Sequence, residues 1–307
     1  TTTIPVPEAW DAQPGFTTDE AVYERQVTVP SSWQGKVVKL EFEGVNHIAD
    51  VYVDDTHVAN HVGGWTSFSA DITPYVEPGE TFTVSVHVRG GNQQPIVDAS
   101  GTPLWPVGWF GHEQQWGIIF DTWMRAYGKV HIEDSFVQTS YRDKTLTIDY
   151  TLTNADTQAH AVTLHADAVR NGTLEKRISQ PWITLDPGES KTVTLTTPWE
   201  NPALWNPETP ELYTLESRLV EARSTLDQEW KRFGFREIWI EDNQFYLNGT
   251  RLNLWGENMN YHGQGFRDSR YRYVTPDTWP KTVDTLLGLN IRVLRIHQQP
   301  APQSVSF

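Results

Sequence analysis

The chain contains no cysteine. That excludes disulfide staples, thiolate nucleophiles and thiolate-held zinc ribbons in one step. Basic residues are the scarcer charge: 24 Lys and Arg stand against 39 Asp and Glu, a net −15. An acidic surface of that size argues against a nucleic-acid groove or an anionic membrane as partner, and favours neutral ligands. No apolar run approaches the roughly 20 residues needed to cross a bilayer. No signal peptide stands at Thr1, so the chain is expected to be a mature form or to lack its front. Lack of cysteine does not fix the compartment; the expected location is extracellular or periplasmic, with the cytoplasm as the alternative. What is present is an ordinary folding composition: 38% hydrophobic and 21% charged residues in 307, a length that fits two or three domains at about 100–200 residues each. Fourteen tryptophans are many for that length. They suit stacking on sugar rings, and equally the packing of cores.

Most of the first three quarters alternates with period two. Val38, Leu40 and Phe42 interleave with Lys39, Glu41 and Glu43, and Phe82, Val84, Val86 and Val88 with Thr83, Ser85 and His87. Such alternation marks strands with one buried and one wet face. Turn-forming clusters separate them: Asp54-Asp55, Gly63-Gly64, Glu77-Pro78-Gly79 and Gly90-Gly91-Asn92. A second set begins near Phe136. Leu146, Ile148, Tyr150 and Leu152 alternate, as do Val162, Leu164, Ala166 and Ala168, then Val193 and Leu195, then Tyr213, Leu215 and Leu219. The first set predicts an antiparallel sandwich over 1–135. The second predicts an immunoglobulin-like sandwich over 136–233, without the usual disulfide.

After Gly234 the pattern changes. Phe245-Tyr246-Leu247 and the Asn248-Gly249 turn predict a hairpin with Arg251–Trp255. A long loop from Gly256 to about Val274 is expected next. Trp279, Val283, Leu286 and Leu287 then fall on one helical face, with Thr278 as cap, Pro280 in the first turn and Gly288 at the end. Ile291–Arg295 reads as a buried strand. Strand, loop, helix, strand is one parallel βαβ unit. One such unit cannot cover both faces of a parallel sheet, so 234–307 is expected to open a third domain that continues outside this sequence, most simply as an eightfold β/α barrel.

Barrel active sites lie at the C-terminal ends of the strands. Two such ends are present: Trp255-Gly256-Glu257-Asn258-Met259-Asn260-Tyr261-His262 and Arg295-Ile296-His297-Gln298-Gln299-Pro300. Both are crowded with groups that donate to and accept from hydroxyls. A loop that merely hydrogen-bonds itself is the plain alternative.

Five stretches carry a resemblance. They are Glu43-Gly44-Val45-Asn46 through Asp54; Gly63-Gly64-Trp65-Thr66-Ser67-Phe68 with Asp71-Ile72-Thr73; Gly117-Ile118-Ile119-Phe120-Asp121-Thr122-Trp123; Leu204-Trp205-Asn206-Pro207-Glu208 with Pro210-Glu211-Leu212-Tyr213; and Phe233-Gly234-Phe235-Arg236 with Phe245–Gly249. In that order they resemble the front part of glycoside hydrolase family 2, which holds β-galactosidases, β-glucuronidases and β-mannosidases. The resemblance implies a jelly-roll sugar-binding-type domain, an immunoglobulin-like domain and the start of a catalytic TIM barrel. It implies retaining, exo-acting hydrolysis of a terminal β-glycoside by two glutamates that lie beyond Phe307, with β-galactoside as the first guess. At the first strand end Asn258 matches the family pattern, while Trp255 stands for an arginine and Asn260 for a histidine. At the second, Arg295 and Pro300 match and the histidine is shifted to His297. Arg295 is implied to orient the nucleophile, and Asn258, Asn260, His262, His297 and Gln298 to line or support the sugar site. No cofactor is expected, a structural cation being left open. The expected partners are carbohydrate, the remainder of the barrel in the same polypeptide or in a companion chain, and a second copy of the chain. A non-catalytic carbohydrate-binding or structural module is the rival reading.

Other features weigh less. His57 and His61 are four apart beside Asp54 and Asp55, but on a strand and turn this spacing does not build a metal site. His112-Glu113 begins like a zinc-protease helix and lacks the second histidine. Trp105, Trp109, Phe110, Trp116 and Trp123 suit packing between domains before stacking on substrate. Asn171-Gly172-Thr173 and Asn248-Gly249-Thr250 are formal glycosylation sequons, the second explained by its hairpin turn.

Overall fold

The computed structural model describes residues 2–7, 10, 18, 20–64, 66–89, 116–259, 279–291 and 293–296. The chain divides into two compact units. One takes in 1–34, 38–126 and 255–307, the other 35–37 and 127–254.

The first unit begins with nine strands: β1 (Glu20–Thr28), β2 (Val37–Phe42), β3 (Val45–Asn46), β4 (Ile48–Val53), β5 (Thr56–Val62), β6 (Phe68–Asp71), β7 (Thr81–Arg89), β8 (Gly117–Ile118) and β9 (Thr122–Tyr127). They form a four-stranded sheet ordered β1-β7-β4-β5, a three-stranded sheet β6-β2-β9, and a short pair β3-β8. The alternating residues do what their period demands. Val38, Leu40 and Phe42 of β2 and Val84, Val86 and Val88 of β7 point into one core with Val51, Val53 and Trp10. Burial of that core is the main stabilising term, at roughly 1.5–3 kcal/mol for each fully buried large side chain.

Three of the five motif stretches meet at one corner of this sandwich. The amides of Ile119 and Phe120 donate to the Gly44 carbonyl, Glu43 N–H to the Asp121 carbonyl, and Gly63 N–H to the His47 carbonyl. A Cβ at Gly64 would lie 2.3 Å from Asn46 Oδ1, so the chain can cross here only without a side chain. The buried ring of His47 bonds Asn46 Oδ1 through Nδ1 at 3.0 Å.

The second unit carries β10 (Val130–Ser140), β11 (Thr145–Asn154), β12 (His160–Arg170), β13 (Thr173–Leu185), β14 (Ser190–Pro198), β15 (Tyr213–Glu221), β16 (Ser224–Phe233), β17 (Ile238–Glu241), β18 (Gln244–Leu247) and β19 (Thr250–Leu252). Sheet β10-β11-β14 packs on sheet β13-β12-β15-β16 through one core. Leu146, Ile148, Tyr150 and Leu152 meet Val162, Leu164, Ala166, Tyr213, Leu215 and Leu219 there. This is a seven-stranded sandwich of the immunoglobulin type. Several of its buried polar side chains are paired, although His131 Nδ1 has no hydrogen-bond partner. Tyr150 Oη and Ser217 Oγ lie 2.7 Å apart across the core, and burial pushes the Tyr150 phenol pKa up. Asn154, fully buried, donates to the carbonyls of Leu185 and Asp186. Asn171 and Gly172 both have positive φ and join β12 to β13, so this sequon too is a two-residue hairpin turn.

The other two motif stretches meet here. Leu204 bridges Phe235, Trp205 N–H donates to the Phe235 carbonyl at 3.0 Å, and the Arg236 guanidinium lies 4.3 Å over the Trp205 ring. Ala203 N–H donates to Tyr213 Oη at 2.6 Å. β17, β18 and β19 form an antiparallel meander whose second turn is Asn248-Gly249, both at positive φ.

The last described elements are β20 (Gly256–Met259), α1 (Trp279–Gly288) and β21 (Val293–Ile296). β20 and β21 pair in parallel, as the βαβ reading requires. The boundary differs from the sequence reading. The hairpin strand ends at Leu252 instead of running to Trp255, and Gly256–Met259 is the parallel strand instead of loop. Gly256 explains the difference: a Cβ there would lie 2.7 Å from the Val293 carbonyl oxygen, and glycine lets the two backbones come together. Thr278, expected as the helix cap, lies outside the described residues.

Candidate functional site

Parallel pairing puts residues in register on the same side of a sheet. Gly256 pairs with Val293, Glu257 with Leu294 and Asn258 with Arg295. Asn258 and Arg295 therefore share a face, at the C-terminal ends of adjacent strands. Their side chains join: Arg295 Nη1 donates to Asn258 Oδ1 at 2.8 Å. The Asn258 N–H in turn donates to Glu257 Oε1 at 2.8 Å. Both Asn258 and Arg295 are exposed. The Asn258 Oδ1 is thus engaged by the guanidinium. A guanidinium and a carboxamide are both groups that can donate to hydroxyl and carboxylate oxygens.

Of the six candidate residues, the structure thus brings together Asn258 and Arg295. Asn260, His262, His297 and Gln298 lie outside the described residues. Glu257 was not singled out from sequence. Its contact is a local carboxylate-to-amide bond, which residue spacing does not signal. Trp255, just before β20, is 67% exposed.

The weaker candidates separate. His57 Nε2 lies 3.2 Å from Asp50 Oδ1, while His61 Nε2 sits 2.9 Å from Thr66 Oγ1 and its ring stacks on Phe68. The His61 pKa is lowered by burial, and that of His47 by burial and then by the neighbouring His61. Among the described residues no group of three or more His, Asp or Glu is placed to hold a metal ion. Of the tryptophan cluster, Trp116 is buried in the first sandwich core and Trp123 is half exposed beneath the Arg125 guanidinium. Trp105, Trp109 and Phe110, like His112 and Glu113, lie outside the described residues.

Comparison with known proteins agrees with this architecture. The family model described as the sugar binding domain of glycosyl hydrolases family 2 matches residues 1–100. A second model of glycosyl hydrolases family 2 matches 130–236. A β-galactosidase of Thermoanaerobacter pseudethanolicus is 26% identical over 93% of this chain, which spans 37% of that protein. A β-glucuronidase of Formosa agariphila is 24% identical over 76% of this chain, which spans 25% of it. Among solved structures, a β-glucuronidase of Bacteroides uniformis superimposes with a TM-score of 0.82 at 26% identity, covering 99% of this chain and 37% of that one. The chain thus spans well under half the length of these relatives. Two family models in the expected order, over the sandwiches whose corners the motif residues build, place this chain in glycosyl hydrolases family 2.

Proposed function

We propose that this chain is the front portion of a retaining exo-β-glycosidase. Its parts would be a sugar-binding-type jelly roll over 1–135, an immunoglobulin-like sandwich over 136–233 and the opening of a catalytic β/α barrel from 234 onward. The observation that carries the reading is the Arg295–Asn258 pair, in register at the C-terminal ends of two parallel strands and joined at 2.8 Å. That is where a barrel places its chemistry.

In the proposed reaction two carboxyl groups about 5–5.5 Å apart flank the glycosidic bond. One, kept protonated by its surroundings, donates to the leaving oxygen. The other attacks the anomeric carbon, and water releases the sugar from the glycosyl-enzyme. Both are assigned to strands outside this chain. Within it, Arg295 would hold the nucleophile ionised and oriented, with Asn258 fixing the guanidinium. Asn260, His262, His297 and Gln298 would bond sugar hydroxyls. No cofactor is called for, and the enzyme would work outside the cytoplasm.

A β-galactoside and a β-glucuronide differ at C6, a hydroxymethyl group against a carboxylate, and in configuration at C4. The net charge of −15 gives no long-range attraction for an anionic sugar, so the β-galactoside is the first to test. The experiment is a panel of nitrophenyl glycosides on the full-length gene product, with the product anomer read by NMR. A β-galactoside hydrolysed with retention is expected. Inversion, or no turnover on any β-glycoside, overturns the proposal. The chain by itself should turn over none of them.

A further inference from the structure

Strand β13 turns one tryptophan out of the immunoglobulin-like sandwich. Upstream, Ile178 pairs with the buried Ala166 and packs on the core. Downstream, Ile183 and Leu185 are buried. An unbroken period of two from Ile178 would turn Trp182 inward and Ile183 outward. The register shifts instead. Leu164 pairs with Gln180 and Val162 with Ile183, so Pro181 and Trp182 stand against the single Thr163. This is a bulge, and its extra residue reverses which side of the strand points in.

Trp182 carries the consequences. Its φ is +57°, a left-handed conformation in which a bulky side chain is strained. It is 85% exposed, more than any other large apolar residue among those described. β13 is an edge strand, and a bulge holding a proline blunts an edge by itself. A glycine or asparagine after that proline would do so without strain and without an exposed ring. Strain and exposure together point to a use for the indole itself.

The surroundings say what the ring meets. Its exposed neighbours on β13 include Ser179, Gln180 and Thr184, and Thr163 lies opposite. These are hydroxyl and amide groups without charge. Among the described residues, none of the exposed large hydrophobics lies on β12 or β14, and the next on β13 is Leu174, eight residues away at roughly 3.3 Å each. A protein partner would call for a contiguous apolar patch. An anionic membrane would call for clustered basic residues, on a chain of net charge −15.

We propose that Trp182 is the stacking platform of a carbohydrate-binding site on the edge of the immunoglobulin-like sandwich, taking a pyranose unit of a neutral polysaccharide. One side of such a ring is largely C–H and lies against the electron-rich face of an indole. The hydroxyls on its rim suit the indole N–H and the neutral donors and acceptors of Gln180 and Thr184. The proposal concerns binding and does not rest on the hydrolysis reading.

The test is affinity electrophoresis of the full-length protein in gels holding a soluble β-galactan or xyloglucan, with polygalacturonate as the anionic reference. Retardation by a neutral polymer is expected. Trp182→Ala should weaken it about fivefold, the scale of one aromatic stack, and Trp182→Phe should keep most of it. No retardation, retardation by polygalacturonate alone, or equal retardation of Trp182→Ala overturns the proposal. Hydroxyl-radical footprinting, read by peptide mass spectrometry, should oxidise Trp182 readily in the free protein and less once the retarding polymer is added. A Trp182 that resists oxidation in the free protein is covered by the polypeptide itself, which also overturns it. Trp182→Gly removes platform and strain together, so it should lose retardation and melt no lower than wild type; a lower melting point would show that the ring packs on the protein and would refute the platform.

Discussion

A hydroxyl pair that joins the two sheets across the immunoglobulin-like core offers a sharp test of how this unit is held together. Tyr150 on β11 is fully buried and Ser217 on β15 is 1% exposed, on opposite sheets, with hydroxyls 2.7 Å apart. Tyr150→Phe keeps the ring and removes the oxygen, leaving the Ser217 hydroxyl buried without this partner. An unsatisfied buried hydroxyl costs about 1–3 kcal/mol. Ser217→Ala strands the tyrosine hydroxyl in the same way. The double variant strands neither, so its loss should be well below the sum of the singles, with a coupling of about 1–2 kcal/mol. Independent sites would add within about 0.3–0.5 kcal/mol. With a urea m-value of about 1–3 kcal/mol/M, each single variant shifts the midpoint on the order of 1 M. Because two units unfold, the transition is best followed by hydrogen exchange on peptides of β11 and β15 across a urea series. Additive losses, or a Tyr150→Phe midpoint equal to wild type, would refute the idea that this pair is a satisfied buried unit.

Three further outcomes are expected. Gly64→Ala forces a methyl group to within 2.3 Å of Asn46 Oδ1, on a side chain that is itself buried; a loss of about 1–3 kcal/mol should appear in thermal unfolding, and an unchanged melting point contradicts the close crossing. His160 bonds Glu221 through Nδ1 at 3.0 Å and Asp156 through Nε2 at 3.3 Å, and these carboxylates, Glu221 foremost, raise its pKa above 6.5. Its stabilisation is therefore fully present below pH 6.5 and fades as pH rises through the raised value; Glu221→Gln should flatten that slope in unfolding measured from pH 5 to 9, and an unaltered slope rules the pair out. In the full-length enzyme, Arg295→Ala should lower kcat by about 10²-fold, the scale of a misplaced reacting group, with little change in melting temperature; equal loss of stability would make Arg295 structural.

The sandwiches were legible because each strand has one face on a core. Where Leu146, Ile148, Tyr150 and Leu152 alternate with threonine and aspartate, the period carries the buried side directly, and all four are at most 1% exposed. The five motif stretches were legible as a likeness but not as a structure. Their residues hold corners together, Gly44 and Gly64 by the room they leave and Trp205 and Arg236 by stacking, and contacts between distant segments leave no local period. β20 was misread for a related reason. Gly256-Glu257-Asn258-Met259 is short and polar and carries no alternation; it is a strand because β21 lies beside it. The helix α1, by contrast, needs only its own apolar spacing, and it appears over Trp279–Gly288 as the sequence predicts.

Register is what brings Asn258 and Arg295 together. Adjacent strands lie about 4.7–4.9 Å apart, a gap the long arginine side chain spans to reach Asn258. A slip of one residue between β20 and β21 would turn Arg295 to the opposite face and put Leu294 in its place. The register depends on Gly256, whose missing side chain admits the Val293 carbonyl, and on the Val293 N–H donating to the Trp255 carbonyl at 3.3 Å. A glycine thereby decides which side chain of β21 meets Asn258, and the Arg295–Asn258 bond is inseparable from the backbone contact two residues before Asn258.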